Sequence, residues 1–201
     1  MKLKGGFLMT YFQWEMDFLL SLQNLHMNGL DQFMIFVSWI NTHGEFWIGL
    51  SIILMCIPKT RKAGITMLVA MILESCLADF IIKPLELRNR PCFYTDIMEQ
   101  NNIVLLYDMG VKELSKSFPS GHTGCGIAAS LSLFFYHKKA GIAALVFALI
   151  VAFSRMYLFL HFPTDVLMGA VIGIISAIIS YYVLKAIFKK REASKAKAVE
   201  K

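Results

Sequence analysis

What most constrains this chain is a succession of apolar runs with few internal charges: 47–57, extendable back to residue 44, then 63–82, 122–136 and 140–158, with a fifth from 165 to 187. At 1.5 Å per residue the 63–82 run reaches about 30 Å, the thickness of a hydrocarbon core. Lipid offers no water to pair with backbone N–H and C=O groups, so runs of this kind must fold as helices. Composition agrees: 57% of the 201 residues are hydrophobic and 17% are charged, against roughly 45–50% and about 25% in soluble domains. That balance excludes an ordinary soluble domain, a disordered chain and a collagen-like repeat. The fold class expected is an all-α polytopic membrane helical bundle of five to six transmembrane helices.

The formal net charge is +6, which in a soluble protein would raise nucleic acid as a partner. Position argues otherwise. The basic residues collect at Lys59, Arg61 and Lys62, at Lys138 and Lys139, and in the tail at Lys189, Lys190, Arg191, Lys195, Lys197 and Lys201, all flanking apolar runs. No basic stretch is interleaved with aromatics as single-strand binding requires, so no nucleic-acid partner is expected. The positive-inside rule instead places these turns and the tail in the cytoplasm. Connections 83–119 and 157–164 are then extracytoplasmic, and the polar chemistry concentrates in those two segments. The expected localisation is a multi-pass cell-membrane protein whose active site faces outside.

Three regions follow: residues 1–43 as N-terminal interfacial or re-entrant helices or a first span, 44–188 as the membrane helical domain, and 189–201 as a basic cytoplasmic tail. Stretch 11–26 carries Glu15 and Asp17 among Trp14, Phe18, Leu19, Leu20 and Leu22, the pattern of an amphipathic helix lying in the interface. Stretch 33–40 reads as a short re-entrant piece or the outer half of a sixth span reaching back through Leu30. The first twelve residues lack the apolar length and cleavage site of a signal peptide. Cys56, Cys76 and Cys125 read as buried small hydrophobes, and Cys92, in a polar loop, is placed where a disulfide to Cys125 is conceivable.

Three polar clusters fall at the outer ends of spans. The first, Lys83 to Pro91 with Arg88 and Arg90, begins where the 63–82 helix leaves the membrane. Its cations could clamp an anion or simply snorkel at a helix end. The second, Ser117-Phe118-Pro119-Ser120-Gly121-His122, precedes the next helix. Ser120 suits an N-cap, Gly121 permits close backbone approach, and the unpaired N–H groups of a first turn can cradle a phosphate, although the same residues make an ordinary helix start. In the third, Ser154 and Arg155 are followed by His161 and Asp165. An acid four residues on can orient one imidazole nitrogen and leave the other as a nucleophile; the structural alternative is an Arg155–Asp165 pair. Three cations, a helix N-terminus, two histidines and one acid on one face suit phosphoryl transfer, in which charge stabilisation and alignment do most of the work.

Lys83 to Arg90-Pro91, Pro119-Ser120-Gly121-His122, and Ser154-Arg155 to His161 to Asp165 match, in order, the pattern KxxxxxxRP, PSGH, SRxxxxxHxxxD. In these motifs the chain resembles the type 2 phosphatidic acid phosphatase family, membrane relatives of vanadium haloperoxidases and bacterial acid phosphatases. The resemblance implies that Lys83, Arg90 and Arg155 bind the phosphate oxygens with help from Ser120 and the Gly121 backbone N–H. It implies His161 as the nucleophile of a phosphohistidine intermediate, Asp165 holding its ring, and His122 as general acid. No metal and no cofactor is implied, and the expected partner is a lipid phosphate or diphosphate of the undecaprenyl diphosphate, phosphatidylglycerol phosphate or phosphatidate type.

Other functions remain open on the residues alone. A haloperoxidase would place vanadate in the same pocket, a small transporter could use His161, Asp165 and Glu74 as a proton relay, and His122, His161 and Asp165 could ligate a metal. Of the remaining charges, Asp79 is spaced to pair with Lys83 and Glu86 to brace Arg90. Glu74 has no assigned role, Arg88 is either a further phosphate or headgroup contact or a solvated charge, and His26 and His43 are expected at the interface without partners.

Overall fold

The structure, a computed structural model, describes residues 11–42, 44–85, 88–106 and 116–199. Every regular element within them is helical. α1 (Gln13–Gln23) and α2 (Asn28–Trp39) precede α3 (Glu45–Cys56) and α4 (Arg61–Ser75), which continues as a π-helical segment, Cys76–Ile82, and a 3-10 turn, Lys83–Leu85. After the short α5 (Thr95–Gln100) come α6 (Gly121–Tyr136), α7 (Lys138–Tyr157) and α8 (Pro163–Val199). Three stretches, Arg61–Leu85, Lys138–Tyr157 and Pro163–Ser194, are long and apolar enough to cross a bilayer. The protein is an integral-membrane helical bundle.

Two boundaries differ from expectation. The 47–57 run forms a helix of 12 residues, about 18 Å long, too short to cross a hydrocarbon core by itself. The basic segment after residue 188 is not separated from the last helix. Its Lys, Arg, Ala and Glu residues are strong helix formers, and cations at a helix C-terminus are favoured by the dipole, so α8 runs unbroken to Val199.

α6 is the central helix, packed on α4, α7 and α8, while α4 also meets α3 and α8. Trp47, Met67, Met71, Ile127 and Leu133 fill the space between them. Where α6 and α8 cross, the spacing Gly169-xxx-Gly173 lets two backbones touch, as small residues do between membrane helices. A Cβ at Gly169 would meet the Ser120 carbonyl oxygen, and one at Gly173 the Gly124 carbonyl oxygen. Gly169→Ala is therefore expected to destabilise the bundle by roughly 1–3 kcal/mol through overpacking. Thermal unfolding in detergent measures this, and an unchanged midpoint would contradict so close a crossing.

The outside of the bundle is apolar, with Ile53, Ile72, Phe80, Ile142 and Leu149 all exposed, as a lipid-facing surface requires. This also explains why Cys56 and Cys76, expected to be buried, are exposed: in a membrane protein an apolar side chain can be satisfied outside the core. Cys92 and Cys125 are both free thiols.

Chain direction separates the two ends. Lys62 pairs with Glu192 at 2.6 Å, and Thr60, Lys138 and Lys139 line one groove, so the three basic segments share an end. The C-termini of α4 and α7 and the N-termini of α6 and α8 meet at the other. α1 and α2 pack on α7 at that second end. α1 exposes Trp14 and Phe18, and its N-cap residue Phe12 is exposed beside them, in keeping with an amphipathic interfacial helix, but Glu15 is fully buried rather than solvated. His26, expected to lack partners, stacks on Tyr157 with ring centroids 4.5 Å apart and lies 3.3 Å from the Tyr157 carbonyl oxygen. His43 and Glu86 lie outside the described residues.

Candidate active site

Helix ends deliver the reactive side chains. α7 closes with Leu160 N–H donating to the Arg155 carbonyl at 2.9 Å and Phe159 N–H to the Met156 carbonyl at 3.0 Å. That pair of bonds defines a Schellman stop, in which the residue after the cap is left-handed. The position usually belongs to glycine, and here it is Phe159 at φ 60°, a costly conformation for a bulky residue. Its ring is held by Met16, Leu19, Leu22 and Phe162. The stop carries His161 to just beyond α7. Pro163 then opens α8 at its first position, where a missing N–H costs nothing. Asp165, two residues on, reaches back to accept the Phe162 N–H at 2.8 Å, so its carboxylate is fixed by the helix start itself.

On α4 the decisive feature is the π-helical segment. Residues nine apart on a regular α-helix point about 180° from one another, yet Glu74 and Lys83 line the same cavity. The wider turn of Cys76–Ile82 swings Lys83 and Asp79 onto the side of Glu74, a distortion frequent at functional sites. Lys83 Nζ pairs with Asp79 Oδ1 at 2.6 Å, as their spacing predicts.

A cavity of about 370 Å³ opens at this end, lined by Lys83, Arg90, Gly121, His122, Arg155 and His161. Six of the eight residues proposed from sequence therefore share one space. A Cβ on Gly121 would stand 3.8 Å from Lys83 Nζ, so the ammonium group lies against the N-terminus of α6. Arg155 donates to Ser38 Oγ. The other two residues, Ser120 and Asp165, are fully buried behind the wall. Ser120 holds the N-cap position without a side-chain cap. Its Oγ accepts from Thr123 Oγ1 at 3.1 Å, and its backbone N–H donates to the Asp165 carbonyl at 3.0 Å.

Asp165 does not touch the imidazole directly. Its Oδ2 lies 3.6 Å from His161 Nδ1, beyond hydrogen-bond length. Ser117 Oγ intervenes, donating to Asp165 Oδ2 at 2.5 Å and lying 3.5 Å from His161 Nδ1. Nothing in the spacing of Ser117 signalled this place. Both contacts fall on Nδ1, which leaves Nε2 as the ring nitrogen open to chemistry. Burial above all, and then the Arg90, Arg155 and Lys83 charges, hold the His161 imidazole well below the ordinary histidine range, so the neutral form is favoured.

Arg88 departs most from expectation. It is neither solvated nor in the cavity wall. Buried to 5% exposure, it sits 4.2 Å over the Phe162 ring, pairs with Glu15, and donates to Asp165 Oδ1 at 2.7 Å and Thr164 Oγ1 at 2.6 Å. Asp165 thus spends its remaining oxygen on Arg88. Sequence inspection also missed Asn41 and Trp47, which line the cavity beside Glu74. Among the described residues, the Asn41 amide, the Trp47 indole N–H and both Glu74 oxygens are buried without partners.

A family model, that of the PAP2 superfamily, matches residues 63–189, the stretch containing all eight residues proposed from sequence. The chain belongs to the PAP2 superfamily. The chain is 28% identical over 174 residues to an undecaprenyl-diphosphatase of Sulfolobus acidocaldarius, covering 86% of this chain and 78% of that one. It is 39% identical over 70 residues to the bacitracin transport permease protein BcrC of Bacillus licheniformis. That second match covers 35% of this chain and spans only about a third, 34%, of the Bacillus protein. The crystal structure of Aquifex aeolicus LpxE superposes with a TM-score of 0.72 at 25% identity, covering 87% of this chain and 98% of that one.

Proposed function

We propose that this protein is an integral-membrane phosphatase that hydrolyses a lipid phosphate or diphosphate through a phosphohistidine on His161, without a metal, at the extracytoplasmic face. The observation that carries the reading is the single cavity in which Lys83, Arg90, Arg155, His122 and His161 converge at the helix N-terminus of Gly121. The placement of that cavity opposite the three basic segments supports the outward-facing assignment. The kinship with an undecaprenyl-diphosphatase over most of the chain supports a polyprenyl diphosphate as substrate.

In this mechanism the three cations and the Gly121 N–H hold the oxygens of the terminal phosphoryl group and spread its charge in the transition state. His161 Nε2 attacks phosphorus in line as the P–O bond to the leaving group breaks. His122 Nε2, buried and without a partner among the described residues, gives its proton to the departing oxygen. The same nitrogen then takes a proton from a water that attacks the phosphohistidine, the P–N bond breaks, and inorganic phosphate leaves.

The test is phosphate release by detergent-purified protein in EDTA, comparing undecaprenyl diphosphate, phosphatidate and a soluble phosphate ester. Release is expected from the lipid substrates, with the diphosphate fastest. Release abolished by EDTA and restored by a divalent cation would overturn the metal-free mechanism, and no release from any substrate would overturn the phosphatase reading.

A further inference from the structure

Two carboxylates from opposite ends of the chain meet on one guanidinium. Glu15 is the third residue of α1 and accepts the Phe12 N–H at 2.9 Å. Asp165 is the third residue of α8 and accepts the Phe162 N–H at 2.8 Å. Each acid caps its own helix, each lies at the positive end of that helix, and Arg88 stands between them with one Nη on each. Thr164 closes the ring: its Oγ1 donates to Glu15 Oε1 at 2.5 Å and accepts from Arg88 Nη1 at 2.6 Å, and its backbone N–H lies 3.2 Å from Glu15 Oε1. Glu15 and Asp165 are fully buried. Ser117 joins the same assembly through its N–H to the Arg88 carbonyl at 2.8 Å.

From this we infer that Glu15 is a positioning residue for the reaction at His161, so that α1, which lies outside the 63–189 family match, completes the active site. The inference rests on the phosphatase reading proposed above. Its physical basis is charge balance. Between two carboxylates the Arg88 cation is shared, and Asp165 keeps an oxygen for the Ser117 hydroxyl that lies against His161 Nδ1. If Glu15 is made neutral, Arg88 has a single anion to pair with and is drawn toward Asp165. The carboxylate and Ser117 then shift relative to the imidazole, and Nε2 loses its line of attack. Glu15 is not among the described residues that line the cavity holding Lys83, Arg90 and Arg155, so substrate binding survives.

The experiment uses the full chain in detergent with whichever lipid the unsubstituted protein turns over, and compares Glu15→Gln, Glu15→Asp and Asp31→Asn. Asp31 accepts from Tyr157 Oη at 2.5 Å and likewise ties an N-terminal helix to α7, but away from the cavity. Glu15→Gln is expected to lower kcat by about 10–100-fold, the scale set by small misplacements of a reacting group. KM and the inhibition constant for inorganic phosphate should both stay within about two-fold. Glu15→Asp, which keeps the charge on a shorter stem, should recover part of the loss, and Asp31→Asn should keep kcat. A kcat for folded Glu15→Gln within about two-fold of the unsubstituted protein overturns the inference, as does a loss that Asp31→Asn reproduces. If Glu15→Gln does not fold, Glu15→Asp decides: full kcat overturns the positioning role, and a several-fold fall at unchanged KM upholds it. Absence of turnover by the unsubstituted protein would overturn the phosphatase reading itself, and the inference with it.

Discussion

Replacing His161 by alanine is expected to lower phosphate release by at least about 10⁴-fold, because the variant removes the proposed nucleophile. The proposed phosphate cradle of Lys83, Arg90 and Arg155 stays in place, so inorganic phosphate should still bind. The backbone of His161 is held by its N–H to the Arg155 carbonyl at 3.2 Å, a bond alanine keeps, and helical content and thermal unfolding in detergent should confirm the fold. Retention of substantial turnover by a folded variant would remove His161 from the nucleophile's role. The unsubstituted protein provides a companion test through pH. In the proposed mechanism His161 attacks in its neutral form, and protonation of Nε2 as pH falls abolishes attack. Burial together with the Arg90, Arg155 and Lys83 charges sets its pKa well below the ordinary value of 6.5, so the acidic limb that His161 contributes to kcat/KM should lie below pH 6.5. A limb due to this residue at or above that value would mean that it is more solvated than its 1% exposure allows.

The bundle was legible because bilayer-length apolar runs leave the chain few alternatives, and the motifs brought six residues to one cavity because each lies at a helix end on the same side. What was hidden has physical reasons. Glu15 and Arg88 are 73 residues apart in sequence, and an acid within an amphipathic pattern is as well placed for water as for a buried guanidinium. The π-helical turn that aligns Glu74 with Lys83 lies in an apolar stretch where lipid-facing and protein-facing positions look alike, so no break in period announces it. The exposure of Cys56 and Cys76 has the same origin. Ser117 was invisible because its role depends on a backbone bond to Arg88 rather than on any spacing to His161. Local chemistry and chain direction could thus be read directly, whereas contacts between distant segments at the membrane end required coordinates.

Arg88→Ala is expected to cost roughly 3–5 kcal/mol of stability, the scale for removing one partner from a buried ion pair and leaving charge uncompensated. Two carboxylates are left behind here, Glu15 and Asp165, both fully buried. Their helix N-termini and the hydrogen bonds from Thr164, Ser117 and the Phe12 and Phe162 N–H groups offset part of that cost. The substitution also empties the space over the Phe162 ring, where the guanidinium lies 4.2 Å from the centroid. Loss should begin where α1 docks, since Met16, Leu19 and Leu22 reach the bundle largely through Phe159 and Phe162. Thermal unfolding in detergent gives the total, and hydrogen exchange along α1 and the start of α8 locates it. Arg88→Lys keeps one positive charge but cannot fork between two carboxylates, so it should recover only part of the stability and leave α1 exchanging faster than in the unsubstituted protein. Full recovery by lysine would show that charge alone, without the two-pronged geometry, holds the N-terminal helix to the active site.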